Sequence, residues 1–134
     1  MEPSRLSLAV IALLGVINVV RGSIHMFAPD GGLMQIAGLD ISQGTPIVLS
    51  FIAAVGGEQL SFALIDFAAV IKFRTFVRPL LLIHTVQTGL AVFLLFVWRP
   101  LPHDVPGQWG ALATVVVLAF VAALEYGRKA DVAA

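Results

Sequence analysis

Cysteine is absent from the 134-residue chain, and charged residues make up only 12% of it. The lack of cysteine excludes disulfides, thiolate catalysis and metal centres held by thiolates. Typical soluble domains carry about 25% charged residues. Acidic and basic residues balance to a formal net charge of zero, so no bulk positive field favours nucleic acid as a partner.

Hydrophobic residues, by contrast, make up 59% of the chain. A chain of this length cannot hide so many apolar side chains from water in its own core, whereas a lipid bilayer solvates them. A helix needs roughly 20 mostly apolar residues to cross hydrocarbon about 30 Å thick. Four segments reach that length, and they predict an all-α, single-domain bundle of four transmembrane helices over residues 1–134, with spans at 6–26, 46–71, 79–98 and 110–126.

The flanking residues support these spans. All seven prolines fall outside the predicted spans or on their first residue, where proline is tolerated. The first span is longer than a signal-peptide core, and no A-x-A-like cleavage site follows it, which favours a retained helix.

Lysine and arginine in the connections predict the orientation, because cytoplasmic loops are enriched in them. One side of the membrane has Arg99 alone. The other side has six basic residues, which predicts that both termini lie in the cytoplasm: Arg5, Lys72, Arg74, Arg78, Arg128 and Lys129.

The longest connection, residues 27–45, contains several apolar side chains after Pro29-Asp30-Gly31-Gly32. Two interpretations fit it. The segment is either a lid lying on the outer surface or an ordinary interfacial loop.

Polar residues inside the spans are expensive in lipid and therefore suggest function. At about 100° per residue, each of the first three spans presents one polar stripe, and we expect all three to face a shared interior. The fourth has Thr114 alone before Glu125, so it is expected to complete the wall or to form a homo-oligomer contact. The stripes contain Asn18, Arg21 and His25, then Glu58, Gln59, Phe62 and Asp66, then His84, Gln87 and Thr88.

Depth along the helices, at about 1.5 Å per residue, predicts two pairs of opposite charge. Arg21 matches Glu58, and Asp66 matches His84. A purely structural role is the alternative, since membrane helices also use polar side chains to hold one another in register.

An acid and a base in an apolar surround suit isomerisation, epoxide opening or cyclisation of a lipophilic small molecule. We predict Glu58 and Asp66 as the catalytic acid–base pair, with Arg21 and His84 orienting and tuning them. Substrate contacts are predicted for six residues: Asn18, His25, Gln59, Phe62, Gln87 and Thr88. A small proton-coupled transporter and a non-catalytic membrane subunit are the alternatives.

No metal or other cofactor is predicted. The spans contain no H-E-x-x-H or Glu-x-x-His pattern. His25 and His84 are expected at different depths, so they cannot both bind one haem iron.

Three short motifs, Phe27-Ala28-Pro29, Ala37-Gly38-Leu39-Asp40 and Gly56-Gly57-Glu58, resemble the small four-helix bacterial membrane proteins of the DoxX-like group. The nearest resemblance is to a family of unknown function within that group. It implies a four-helix bundle and assigns no activity to any residue.

Overall fold

The computed structural model describes residues 2–101 and 103–133, with side chains up to residue 127. This part of the chain is entirely helical, without strands. A 3-10 turn, Arg74–Phe76, leads into the third helix, and a π-helical turn, Leu94–Trp98, extends it. The four α-helices are α1 (Arg5–Phe27), α2 (Thr45–Ile71), α3 (Val77–Phe93) and α4 (Pro106–Ala133).

All four predicted spans are confirmed as helices long and apolar enough to cross a membrane. The third and fourth begin earlier than predicted, so Pro79 is the third residue of α3 and Pro106 is the first residue of α4. Contrary to expectation, proline therefore lies beyond the first residue of a span at two positions, Pro46, the second residue of α2, and Pro79. The first turn of a helix accepts it because the first four N–H groups have no intrahelical carbonyl partner.

The helices pack as two pairs. α1 packs mainly on α2, α3 packs mainly on α4, and α1 also contacts α3 and α4. We call the half of the bundle near Ser4 and Glu125 the terminal half, and the half near residues 28–44 and 99–105 the loop half. The terminal half is closed by a continuous hydrophobic core: Ile11, Leu14, Ala69, Val77, Leu80, Leu81, Leu118, Val121 and Ala122.

Large apolar side chains cover the outside of the bundle. Phe51, Leu64 and Ile71 on α2 are each more than 70% exposed, and Val86 and Phe120 are exposed on α3 and α4. A soluble monomer rarely exposes so much apolar surface, whereas hydrocarbon solvates it. The structure is therefore that expected of an integral membrane protein.

Two glycines let α1 and α2 approach closely in the loop half. A Cβ added to Gly22 would stand 2.8 Å from the carbonyl oxygen of Gly56, and a Cβ added to Gly56 would stand 2.7 Å from that of Gly22. Small residues at such crossings allow backbones to touch, which is how helices in lipid gain packing energy. The crossing fixes the level of α2 relative to α1.

Replacing Gly56 by alanine is expected to destabilise the bundle by about 1–3 kcal/mol, because the new methyl meets backbone atoms that cannot rotate away. Unfolding in mixed micelles measures this loss. The adjacent Gly57→Ala variant is the matched control, since its methyl would meet no atom within 4 Å. It is expected to change stability by less than about 0.5 kcal/mol. Equal losses in both variants would contradict the proposed crossing.

Candidate functional site

A cavity of about 650 Å³ lies between the helix pairs in the loop half. All four helices line it, together with residues of the 28–44 and 99–105 connections. Its volume falls in the range of pockets that hold small organic ligands. Most of its wall is apolar, for example Ile17, Ile52 and Val55.

The predicted pairing of Asp66 with His84 is formed, at the end of the cavity next to the closed core. Nε2 of His84 lies 2.7 Å from Oδ1 of Asp66. Nδ2 of Asn18 donates to Oδ2 of Asp66 at 3.3 Å, so the carboxylate is bonded on both oxygens. Asp66 is fully buried, and His84, itself only 4% exposed, lines the cavity with the Phe62 ring 5.4 Å from its own.

This arrangement leaves one ring nitrogen of His84 free to exchange a proton with a ligand. With Asp66 ionised, Nε2 carries the proton that it donates to the carboxylate, which leaves Nδ1 as the basic nitrogen. Nδ1 makes no hydrogen bond with any residue that the structure describes. Asp66 therefore fixes the orientation of the imidazole through Nε2. His84, and not Asp66, is the residue of this pair that a ligand in the cavity can contact.

The predicted pairing of Arg21 with Glu58 is wrong. Arg21 lines the cavity, but Glu58 is exposed and is not part of the cavity wall. Within the described residues, the ion pairs formed are His84 with Asp66 and Arg78 with Glu125. The prediction compared only the depths of the two residues and not the directions in which they point from their helices. α2 turns Gly56 toward α1, and Glu58 therefore points outward.

The six residues predicted to contact substrate all line the cavity: Asn18, His25, Gln59, Phe62, Gln87 and Thr88. The structure brings them together as the polar stripes suggested. Whether each contacts a substrate stays a prediction.

Two glutamines in the wall have a buried amide oxygen without a hydrogen-bond partner among the described residues. These are Oε1 of Gln59 on α2 and Oε1 of Gln108 on α4. A buried polar atom left unpaired costs about 1–3 kcal/mol, so such atoms indicate that a water or a ligand group completes the site. The sequence prediction missed Gln108 because it started the fourth span at Gly110. The proline at position 106, a typical first helical residue, was the signal that could have placed it on the helix.

Part of the 28–44 connection forms one wall of the cavity, through Gly32, Leu33, Ile36, Ala37 and Leu39. The apolar residues that suggested a lid therefore face the cavity. Its start is tied to α1, because Nδ1 of His25 lies 2.8 Å from the carbonyl oxygen of Gly31. Gly31 and Gly32 have φ angles of 60° and 77°, a conformation that favours glycine and makes this tight turn possible.

Asp30 organises the same connection. Its carboxylate accepts hydrogen bonds from the backbone N–H of Gln35 at 2.8 Å, of Gly32 at 3.0 Å and of Met34 at 3.1 Å. These bonds, that from Gln35 first, hold the pKa of Asp30 below its ordinary value of 3.8 against the opposing effect of burial. The folded connection thus favours the ionised carboxylate.

A depressed pKa predicts the pH dependence of this wall. Asp30 stabilises the turn fully above its unfolded-state pKa, and the stabilisation is lost as pH falls below about 3.8 toward the lower folded-state pKa. Hydrogen exchange of the 32–39 amides, corrected for the intrinsic rate, should therefore show protection that disappears in acid. Asp30→Asn should lack this protection at neutral pH as well. The control Asp40→Asn, which removes a carboxylate bonded to Ser42 instead, should keep it. Protection at 32–39 that is independent of pH in the unsubstituted protein would contradict this role.

A second polar cluster, in the terminal half, was not predicted. Glu125 of α4 is 2% exposed and accepts hydrogen bonds from Nε of Arg78 at 2.8 Å, from the Ser4 backbone N–H at 3.0 Å and from the Ser7 hydroxyl. It joins the start of α1 to α3 and α4. The closed core separates this cluster from the cavity, so it is not part of the candidate site.

No group of three potential metal ligands occurs among the described residues. The sequence matches no family model and no curated protein, and the fold matches no solved structure. The chemistry of the cavity is therefore the basis for inferring function.

Proposed function

We propose that the protein binds a lipophilic small molecule inside the membrane and isomerises it by proton transfer at His84. The observation that carries the proposal is the cavity itself, whose apolar wall ends on a histidine held by a buried aspartate. A base oriented by a carboxylate is an arrangement that supports general acid–base catalysis.

The geometry favours isomerisation over epoxide opening and cyclisation. Glu58 lies outside the cavity wall, so a division of labour between two carboxylates has no support. His84 alone can take a proton from one atom of the ligand at Nδ1 and return it to another atom of the same molecule. Atoms and charge then balance without a co-reactant. Asp66 stabilises the imidazolium that exists between the removal of the proton and its return.

The closed core in the terminal half supports binding rather than transport. A proton-coupled transporter needs a polar path across the whole membrane. Between the Asp66–His84 pair and Glu125 the interior is instead filled by apolar side chains such as Leu81, Leu118 and Val121.

We further propose that the chain lies in a bacterial inner membrane with both termini in the cytoplasm, and that it belongs to the DoxX-like group. The basic residues Arg5, Lys72 and Arg74 in the terminal half support the orientation. The exposed apolar face of α4, with Val116, Val117 and Phe120, supports a homo-oligomer packed along that helix.

A cavity-filling variant tests the binding proposal. Thr114 lines the cavity, and its hydroxyl bonds within α4 to the carbonyl oxygen of Gly110. Thr114→Trp should therefore fill the cavity without breaking a bond between helices. Ala113→Trp, on the exposed face of α4, is the matched control. Both variants and the unsubstituted protein are purified from the same membranes in lipid discs, extracted with solvent and compared by mass spectrometry. A lipophile enriched with the unsubstituted protein and Ala113→Trp, and depleted with Thr114→Trp, is expected. Identical extracts from all three would overturn the proposal.

A further inference from the structure

Arg21, an exposed side chain that also lines the cavity, has no anionic partner among the residues that the structure describes. It lies within α1, six residues before the end of the helix at Phe27. Among the residues that the structure describes, no carboxylate pairs with it and no hydrogen bond involves its side chain. A guanidinium inside the membrane is costly unless it is paired, and its five donors suit the two oxygens of a carboxylate or a phosphate.

The charged and titratable groups around Arg21 do not supply that anion. His25, one turn further along α1, contacts the carbonyl oxygen of Gly31. Asp66, bonded to Asn18, already has both oxygens engaged. Glu58 points away from the cavity wall. An anion that pairs with Arg21 would therefore come from outside the part of the chain that the structure describes.

A second unpaired group lies at the same level. A Cβ added to Gly22 would stand 3.1 Å from the backbone nitrogen of Leu60. Arg21 precedes Gly22 and Gln59 precedes Leu60, so Arg21 and Gln59 lie at the same level across the helix crossing. Oε1 of Gln59 is buried and accepts no hydrogen bond from the residues that the structure describes. Arg21 offers donors and Gln59 an acceptor, which suits a head group that carries both an anionic oxygen and a hydroxyl or amide N–H.

We infer that the ligand is a lipophilic acid: its anionic head pairs with Arg21, and its apolar chain lies along the wall formed by residues such as Ile24, Ile36 and Ile52. This inference rests on the proposed binding function and names its ligand class. Asn18, which contacts Asp66, is three residues from Arg21, a rise of about 4.5 Å. The head therefore binds about one helical turn from the Asp66–His84 pair, which keeps the reacting part of the ligand close to its acidic group.

Two photoreactive probes test the ligand class. Both carry the same diazirine-bearing alkyl chain, one ending in a carboxylate and the other in a hydroxymethyl group. They are titrated at neutral pH against the protein in phosphatidylcholine discs, and labelled peptides are quantified by mass spectrometry. The acid should half-saturate labelling of cavity peptides at a concentration about tenfold or more below that of the alcohol, because a charge-assisted pair is worth more than one power of ten in affinity.

Variants assign this preference to Arg21. Arg21→Gln should abolish it, Arg21→Lys should retain part of it, and Arg99→Gln, which removes an exposed arginine at the end of the third span, should leave it unchanged. Repeating the titration in discs that contain phosphatidylglycerol separates two sources of the anion. If phosphatidylglycerol competes with the acid probe and this competition depends on Arg21, the acid is a bilayer lipid. If phosphatidylglycerol does not compete, the acid is a free lipophilic acid.

The failures are distinguishable. Equal affinity for acid and alcohol, or a preference that survives Arg21→Gln, would overturn the assignment of an acidic ligand. The proposal that the cavity binds a lipophile would still stand. Absence of saturable labelling of cavity peptides by either probe would overturn both this inference and the proposed function.

Discussion

Replacing His84 by glutamine is expected to lower the rate of ligand conversion by about 10²–10⁴-fold, the usual contribution of a positioned general base. Glutamine can still donate a hydrogen bond to Asp66, so the bundle should fold, but it has no basic nitrogen. The measurement is single-turnover conversion, in lipid discs, of the lipophile recovered by solvent extraction.

Asp66→Asn should cause a loss of similar size for a different reason. An amide no longer favours the Nε2–H form of His84 and no longer stabilises the imidazolium. Ligand affinity should change less than the rate in Asp66→Asn, because Asp66 does not line the cavity. Glu58→Gln is the matched control: it neutralises the neighbouring carboxylate of α2, which lies outside the cavity, and should leave the rate unchanged. Loss of activity in Glu58→Gln with normal rates in His84→Gln would reverse the assignment.

Replacing Glu125 by leucine is expected to destabilise the protein by about 3–5 kcal/mol, since Arg78 would then be a buried charge without a partner. The side chains of Arg78 and Glu125 are 10% and 1% exposed, so water can do little to compensate. Reversible unfolding in mixed micelles measures the loss.

The double variant Arg78→Leu/Glu125→Leu separates the charge effect from the packing effect. Removing both charges should recover most of the stability, because a buried pair replaced by apolar residues is often neutral overall. Ser7 then loses its acceptor, and this limits the recovery by about 1–2 kcal/mol. A double variant no more stable than Glu125→Leu would show that the cluster does not act as an ion pair.

The helices and the shared polar interior could be predicted because lipid imposes strict rules on length and on the direction of polar faces. Asn18 and His84 face the cavity for that reason. The predicted pairing of Arg21 with Glu58 failed, because depth along each helix is readable from sequence but the rotation of one helix relative to its neighbour is not. Gly22 and Gly56 set that rotation by direct backbone contact, which turns Glu58 away.

The sequence also could not predict that a hydrophobic core fills one half of the bundle and that the other half contains a cavity. Leu118 in the core and Thr114 in the cavity wall belong to one stretch of α4 that is apolar apart from Thr114 itself. Contacts with α1 and α3 distinguish them, and such contacts between distant segments leave no local pattern. The sequence places Glu125 near the end of the fourth span, but its burial against Arg78 and the start of α1 depends on the same long-range packing.

Thiol accessibility tests the central claim most directly, since the chain has no cysteine of its own. Thr88→Cys places a thiol in the cavity wall, and Leu118→Cys places one in the closed core, where the native side chain is 0% exposed. A small maleimide should label Thr88→Cys in lipid discs at least about tenfold faster than Leu118→Cys, because a thiol buried in apolar surroundings is inert. The lipophile that is recovered by solvent extraction should slow the labelling of Thr88→Cys when it is added back. Equal, slow labelling of both sites that is insensitive to the lipophile would contradict a ligand cavity in the loop half.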